Sequence, residues 1–186
     1  MDKKFYTMEI AGLKRDLPIC KVHDDLYIAG FIMFGDVEIT KASAKALLAK
    51  APEFDIMLTA ECKGIPLLYE MARQTGADNY IVARKGPKLY MQNVHTTYVN
   101  SITTEGQQKL CIGGADGDAM RGKRVLIVDD VISTGESLAA LEKLVEEVGG
   151  IVAGRMAVLA EGEAADRDDI IYLERLPLFD GNGKEL

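Results

Sequence analysis

Residues 125–137 read VLIVDDVISTGES. Four aliphatic side chains, Val125 to Val128, lead into the adjacent carboxylates Asp129 and Asp130. A turn rich in hydroxyls, Ser133-Thr134-Gly135-Glu136-Ser137, then opens onto a helical pattern. A continuous aliphatic run suits a strand buried on both faces. In an open parallel sheet, ligands bind beyond the carboxyl ends of such strands. The turn has unpaired backbone N–H groups and the positive end of a helix dipole, and both favour an anion. Ser133, Thr134 and Ser137 add hydroxyl donors. Carboxylates repel phosphates, so one ligand must separate the two demands along its length. A ribose 5-phosphate does so, with its vicinal hydroxyls on Asp129 and Asp130 and its phosphate in the 133–137 turn. The pattern is neither the GxxxxGK[ST] of a P-loop nor the GxGxxG of a dinucleotide fold.

Strand and helix patterns alternate around this stretch. Residues 54–60 predict a strand and 65–76 a helix, with Pro66 in its first turn and Gly76 past its end. Strands are predicted over 79–83, 124–128, 151–160 and 170–173. The helix over 137–148 puts Leu138, Leu141, Leu144, Val145 and Val148 on one face. This is the pattern of an α/β fold, a mostly parallel sheet flanked by helices. Residues 40–50 predict a further helix, capped by Thr40. Residues 1–35 read as irregular, with Leu26–Ile28 and Phe31–Phe34 as short strand candidates. The polar stretch 84–123 interrupts the alternation. Strands predicted at 97–102 and 109–112 make it an inserted flexible hairpin, placed to act as a lid over a site. The chain therefore reads as one domain: a small N-terminal hood over about 1–40, a core over about 41–176, a lid hairpin over about 90–112 and a tail over 177–186.

The composition excludes several classes. The 186 residues are 48% hydrophobic, enough for a sizeable core. The formal net charge of −7 argues against nucleic-acid binding, which needs clustered cations. No segment has the length of apolar residues that a membrane span needs, and the N-terminus shows no signal-peptide pattern. Three cysteines, Cys20, Cys62 and Cys111, lack metal-ligand spacing and suit a reducing, cytoplasmic setting.

VLIVDDVISTGES resembles the phosphoribosyl-pyrophosphate (PRPP) signature of the type I phosphoribosyltransferases: four apolar residues, two acidic ones, a spacer, then a small-Thr-Gly turn. Two more stretches resemble the adenine phosphoribosyltransferase branch. Glu61-Cys62-Lys63-Gly64 stands where that branch has its pyrophosphate loop, with Cys62 and Lys63 in place of the usual small residue and Arg. Arg84-Lys85-Gly86-Pro87-Lys88-Leu89 is similar to an Arg-Lys-…-Lys-Leu-Pro segment, with Tyr90 in place of the final Pro. The resemblance covers residues 50–186 and only weakly the first 50.

The resemblance implies transfer of the 5-phosphoribosyl group from PRPP to a purine base, adenine favoured, in nucleotide salvage. Asp129 and Asp130 would hold the ribose hydroxyls and act at the catalytic centre. Ser133, Thr134, Gly135, Glu136 and Ser137 would hold the 5-phosphate. Cys62, Lys63, Gly64, Arg84, Lys85 and Lys88 would meet the pyrophosphate. Mg²⁺ would ride on PRPP with no direct protein ligand, and the protein would be a homodimer. Glu105, in Thr104-Glu105-Gly106, is the nearest match to a Glu-Tyr-Gly element of the family's mobile loop and would orient or protonate the base. His95 lies in the same segment, where a lone histidine is usually structural. Phe34-Gly35-Asp36 matches a base-side Phe-Arg-Asp segment without its Arg. Xanthine or hypoxanthine as the base, or a PRPP-sensing regulator without turnover, therefore stay open at this point.

Overall fold

The computed structural model describes residues 5–100 and 107–186. In chain order the elements are β1 (Phe5–Ile10), β2 (Leu13–His23), β3 (Leu26–Ala29), α1 (Val37–Leu48), β4 (Ile56–Ala60), α2 (Ile65–Thr75), β5 (Ile81–Ala83), β6 (His95–Asn100), β7 (Gln107–Ile112), α3 (Gly114–Met120), β8 (Arg124–Ile132), α4 (Glu136–Glu147), β9 (Ile151–Glu161), a 3₁₀ turn (Gly162–Asp166), β10 (Ile171–Leu176) and β11 (Leu178–Phe179).

Five strands form the central sheet in the order β10-β9-β8-β4-β5. Every neighbouring pair in it is parallel. The aliphatic run of β8 lies in the middle, and its alternating side chains feed two cores. Val125 and Ile127 join the apolar stripe of α4, in which Leu138, Leu141, Leu144, Val145 and Val148 are all buried. Leu126 and Val128 join the core beneath α1, α2 and the N-terminal strands. Burial on both faces is why β8 reads as an uninterrupted apolar run. At α2, Pro66 sits in the first turn and Gly76 takes the left-handed exit, φ 72°.

Several elements differ from expectation. The N-terminal region is ordered as a four-stranded sheet, β1-β2-β3-β11, with antiparallel pairs. Its first hairpin turns on Ala11 and Gly12, both at positive φ. Phe31–Phe34 form no strand. The 177–186 segment is tied down, because Leu178 and Phe179 pair with Ile28 and Tyr27 and Phe179 is fully buried. Helix α1 starts earlier than Thr40. Its cap is Asp36, whose carboxylate accepts from the Ile39 N–H at 3.0 Å, while the Thr40 hydroxyl donates to the Asp36 carbonyl. Arg15 reaches Asp36 at 2.7 Å and Glu38 at 2.8 Å, pinning the hood sheet to α1.

The predicted hairpin exists as β6 and β7, and residues 101–106 lie outside those described. Its base is more than a surface insertion. Leu110 and Ile112 are buried in the main core, and Cys111, also buried, exchanges backbone hydrogen bonds with Arg84 after β5. The short helix α3 follows. Among the described residues, no helix is long and apolar enough to cross a membrane.

Candidate active site

The acidic pair is not at the end of its strand, as expected, but within it. β8 continues through Asp129 and Asp130 to Ile132, paired all the way with β9. On its other side β8 pairs with β4 only from Val125 to Ile127. Its last residues therefore project past β4, where they face the loop that follows β4.

That loop is Glu61-Cys62-Lys63-Gly64, with a cis peptide between Glu61 and Cys62. It lies directly against the acidic pair. Lys63 Nζ stands 3.1 Å from Asp130 Oδ2. The contact is one of charge with charge. Oδ2 is buried and, among the described residues, receives no hydrogen bond in line with its lone pairs. Gly64 is required by space. A Cβ there would stand 2.2 Å from Thr59 Oγ1 and 3.2 Å from Asp129 Oδ1. Asp129 Oδ1 accepts from the Asp130 N–H at 2.9 Å. Burial first, and then the neighbouring Asp130 carboxylate, push Asp129 well above the usual carboxylate range.

Two cavities open on this pair. One, of about 190 Å³, is lined by Cys62, Lys63, Lys85, Asp129, Asp130 and Ser137, among others, with Leu110 of β7 in its wall. The other, of about 130 Å³, is formed by the turn itself, Ser133 to Ser137, with Asp129 at its edge. Gly135 precedes α4 at φ 80°, a conformation glycine adopts without strain. Glu136 is the first residue of α4 and is half-buried.

The predicted cations divide into groups. Lys63 and Lys85 line the larger cavity. Arg84 is engaged beside it: its guanidinium donates to Glu61 and to the Tyr90 hydroxyl, each at 3.1 Å. The Glu61 carboxylate also accepts from the Lys85 N–H at 3.1 Å and is held below its ordinary pKa, chiefly by that bond. Lys88 is exposed and not part of the cavity wall. Glu105 lies outside the described residues. His95 packs against α3, its Cδ2 3.0 Å from where a Cβ on Gly117 would stand. Among the described residues, no three His, Cys, Asp or Glu side chains converge as a metal site.

The model of the phosphoribosyl transferase domain matches residues 36–178, which span the parallel sheet and both cavities. The chain belongs to the phosphoribosyltransferase family. This phosphoribosyltransferase is 31% identical over 163 residues to the adenine phosphoribosyltransferase of Thermoanaerobacter pseudethanolicus, covering 82% of each chain. It is also 31% identical over 169 residues to the orotate phosphoribosyltransferase of Sordaria macrospora, covering 89% of this chain and 68% of that one. The crystal structure of adenine phosphoribosyltransferase from T. pseudethanolicus superposes with a TM-score of 0.63 at 25% identity, covering 92% of this chain and 95% of that one. Family membership makes the protein a glycosyltransferase-type enzyme.

Two residues of this phosphoribosyltransferase were not singled out from the sequence. Glu161 ends β9, one residue past the predicted strand, and lies beside the turn. Burial pushes its carboxyl upward, opposed by the Ser133 hydroxyl and the Lys63 charge. Arg167, after the 3₁₀ turn, comes back to the cradle from 32 positions beyond Gly135. Its Nη1 is 2.8 Å from where a Cβ on Gly135 would sit. Asp169 holds the other edge of the guanidinium at 2.8 and 2.7 Å. An acidic residue at the end of the strand next to β8 was the available signal for Glu161. Arg167 had none, since its approach depends on the path of the chain after β9.

Proposed function

We propose that this phosphoribosyltransferase transfers the 5-phosphoribosyl group of PRPP to a purine base, adenine first, releasing pyrophosphate and a nucleoside 5′-monophosphate for nucleotide salvage. One observation carries the reading. A cavity with two lysines and a hydroxyl-rich turn before a helix meet across Asp129 and Asp130. That order of charge matches pyrophosphate, ribose and 5-phosphate along one ligand.

In this reading the C1–O bond to pyrophosphate breaks as a base nitrogen bonds to C1 and gives up its proton to the departing pyrophosphate or to solvent, and the ribose ring takes on positive, oxocarbenium character. Asp129 and Asp130 accept hydrogen bonds from the ribose hydroxyls and hold the ring still. The N–H groups and hydroxyls of Ser133–Ser137 fix the 5-phosphate. Lys63 and Lys85 face the departing pyrophosphate, with Cys62 and Gly64 contributing backbone and Arg84 and Lys88 flanking. Mg²⁺ carried on PRPP supplies further charge neutralisation. The donor set fits this arrangement. Two carboxylates, one with an ammonium at 3.1 Å, suit a hydroxyl-rich ligand better than a bare divalent cation. Leu110 of β7 walls the pyrophosphate side, which supports the hairpin as a shield against water.

The orotate relative raises a second reading. The space on the β9 side of the turn is lined by Glu161, Glu163 and Arg167, and because Asp169 already holds the Arg167 guanidinium, the two glutamates are left to repel the carboxylate of orotate. This favours a neutral purine. A cytoplasmic homodimer belongs to the same proposal. Exposed apolar side chains, among them Val37 and Tyr69, which line one groove, support self-association.

The test is pyrophosphate release with PRPP, Mg²⁺ and each of adenine, hypoxanthine, xanthine and orotate. Release that is fastest with adenine supports the proposal. Tight PRPP binding without release for any base would instead identify a sensor.

A further inference from the structure

A third cavity, of about 380 Å³, adjoins the phosphate turn on the side away from the lysines. Ser133, Thr134, Glu161, Gly162 and Leu178 line it, with Glu163 and Arg167 at its polar margin. Three features define what it can hold. It shares Ser133 and Thr134 with the turn, so a group bound there sits beside whatever sugar phosphate the turn holds. Its far wall is Leu178 of β11, a strand of the hood sheet, so it lies between that sheet and the main one. Its polar groups differ from those of the pyrophosphate cavity: Lys63 and Lys85 face the carboxylates of that one, whereas Glu161 and Glu163 share this one with Arg167 and, among the described residues, no lysine. The one cation here, Arg167, has its Nε and Nη2 engaged by Asp169 and its Nη1 set against Gly135.

An acidic, half-apolar pocket beside a ribose suits a flat neutral ring that presents N–H donors. It disfavours one that presents a carbonyl oxygen to the same carboxylate. Glu161 is the half-buried acid of the pair, Glu163 being exposed, and it shares the cavity wall with Ser133 of the turn.

Resting on the transferase reading, we propose that Glu161 is the base-specificity residue: its carboxylate accepts from the exocyclic amino group of an aminopurine and rejects the oxo group at that position. The hood then supplies an apolar wall, and the end of β9 supplies the discrimination. The Phe34-Gly35-Asp36 segment, which lacks its Arg, need not recognise the base.

The test is equilibrium binding of adenine and of hypoxanthine to the protein loaded with ribose 5-phosphate, which fills the turn but has no pyrophosphate to exchange, for wild type, Glu161→Gln and Glu161→Asp. The glutamine keeps the shape and can turn its amide to donate to an oxo group. Wild type should prefer adenine. Glu161→Gln should lower the adenine-to-hypoxanthine ratio by roughly 10–100-fold, the span of one hydrogen bond to a charged acceptor. Glu161→Asp should keep the direction of preference. PRPP affinity should change by less than about threefold in both variants, since lost base discrimination without lost PRPP binding is a result that misfolding cannot produce. An unchanged ratio in Glu161→Gln, or a wild-type preference for hypoxanthine, would overturn the assignment. Base affinity is read without turnover. A protein that binds both bases in the predicted ratio and releases no pyrophosphate would therefore sink the transferase reading while upholding Glu161.

Discussion

Lys63 Nζ lies 3.1 Å from Asp130 Oδ2, so the loop after β4 and the acidic pair of β8 are in direct contact. The two partners are unequal. The Asp130 side chain is 3% exposed and that of Lys63 is 51% exposed. A nearly inaccessible carboxylate thus depends on a cation that can still turn to meet a ligand phosphate.

Replacing Lys63 with Met removes that counter-charge. Half-exposure of the ammonium keeps the stability cost small, roughly 1 kcal/mol or less by urea denaturation. PRPP affinity should fall more, by at least about tenfold in calorimetric titration, because a charge-assisted contact to pyrophosphate is lost. Unchanged PRPP affinity would remove Lys63 from the pyrophosphate site.

Gly64 should tolerate no side chain. Alanine there would drive its Cβ to within 2.2 Å of Thr59 Oγ1, and Thr59 is fully buried. Overpacking of this kind costs about 1–3 kcal/mol. Adding Thr59→Ala should recover most of the stability but not the PRPP affinity, since Asp129 Oδ1 remains 3.2 Å from the new methyl. Recovery of both would show that Gly64 serves packing alone.

Gly135→Ala places a Cβ at φ 80° and against Arg167. Backbone strain alone should cost about 1–3 kcal/mol. The variant should lose affinity for ribose 5-phosphate while binding pyrophosphate nearly as before. Equal loss for both ligands would contradict the division of the site into a phosphate turn and a pyrophosphate cavity.

Asp129 makes a pH prediction. Burial and the Asp130 charge raise its folded pKa to about 8, against about 3.9 in an unfolded chain. Between those values the folded protein holds a proton that the unfolded chain has released, so this group's contribution to stability declines as pH rises from about 4 to about 8. Asp129→Asn should flatten the decline and raise Tm at pH 8 by roughly 2–4 °C, the shift about 1 kcal/mol gives in a domain of this size. The same substitution should abolish PRPP binding. A lower Tm at pH 8 would show that the ionised carboxylate is stabilising instead.

The central sheet was legible because its strands are buried on both faces and therefore written as apolar runs. Val125 to Val128 is the clearest, and the stripe of α4 is nearly as plain. The hood was not legible. β1 and β2 alternate exposed and part-buried residues, with Lys14, Arg15, Asp16 and Pro18 in the run, and their turn is Ala11-Gly12 rather than Asn-Gly. The start of α1 was misplaced because Asp36 caps it from behind Val37 and Glu38. At the site, motif residues close in sequence, Ser133 to Ser137 and Cys62 to Gly64, lie beside the acidic pair because each set sits on one short loop that follows a strand of the central sheet. Glu161 and Arg167 were missed because their position depends on where β9 ends and how the chain turns back, which no local spacing encodes.

In the proposed reaction Asp129 and Asp130 hold the ribose of PRPP while its pyrophosphate is exchanged for a base. The most direct measurement is the amount of AMP and pyrophosphate formed from PRPP, Mg²⁺ and adenine by wild type and by Asp130→Asn. Wild type should form the two products in equal amounts, and the variant should form them at a rate at least about tenfold lower. Undiminished AMP formation by Asp130→Asn, or PRPP binding by wild type with no AMP formed, would contradict it.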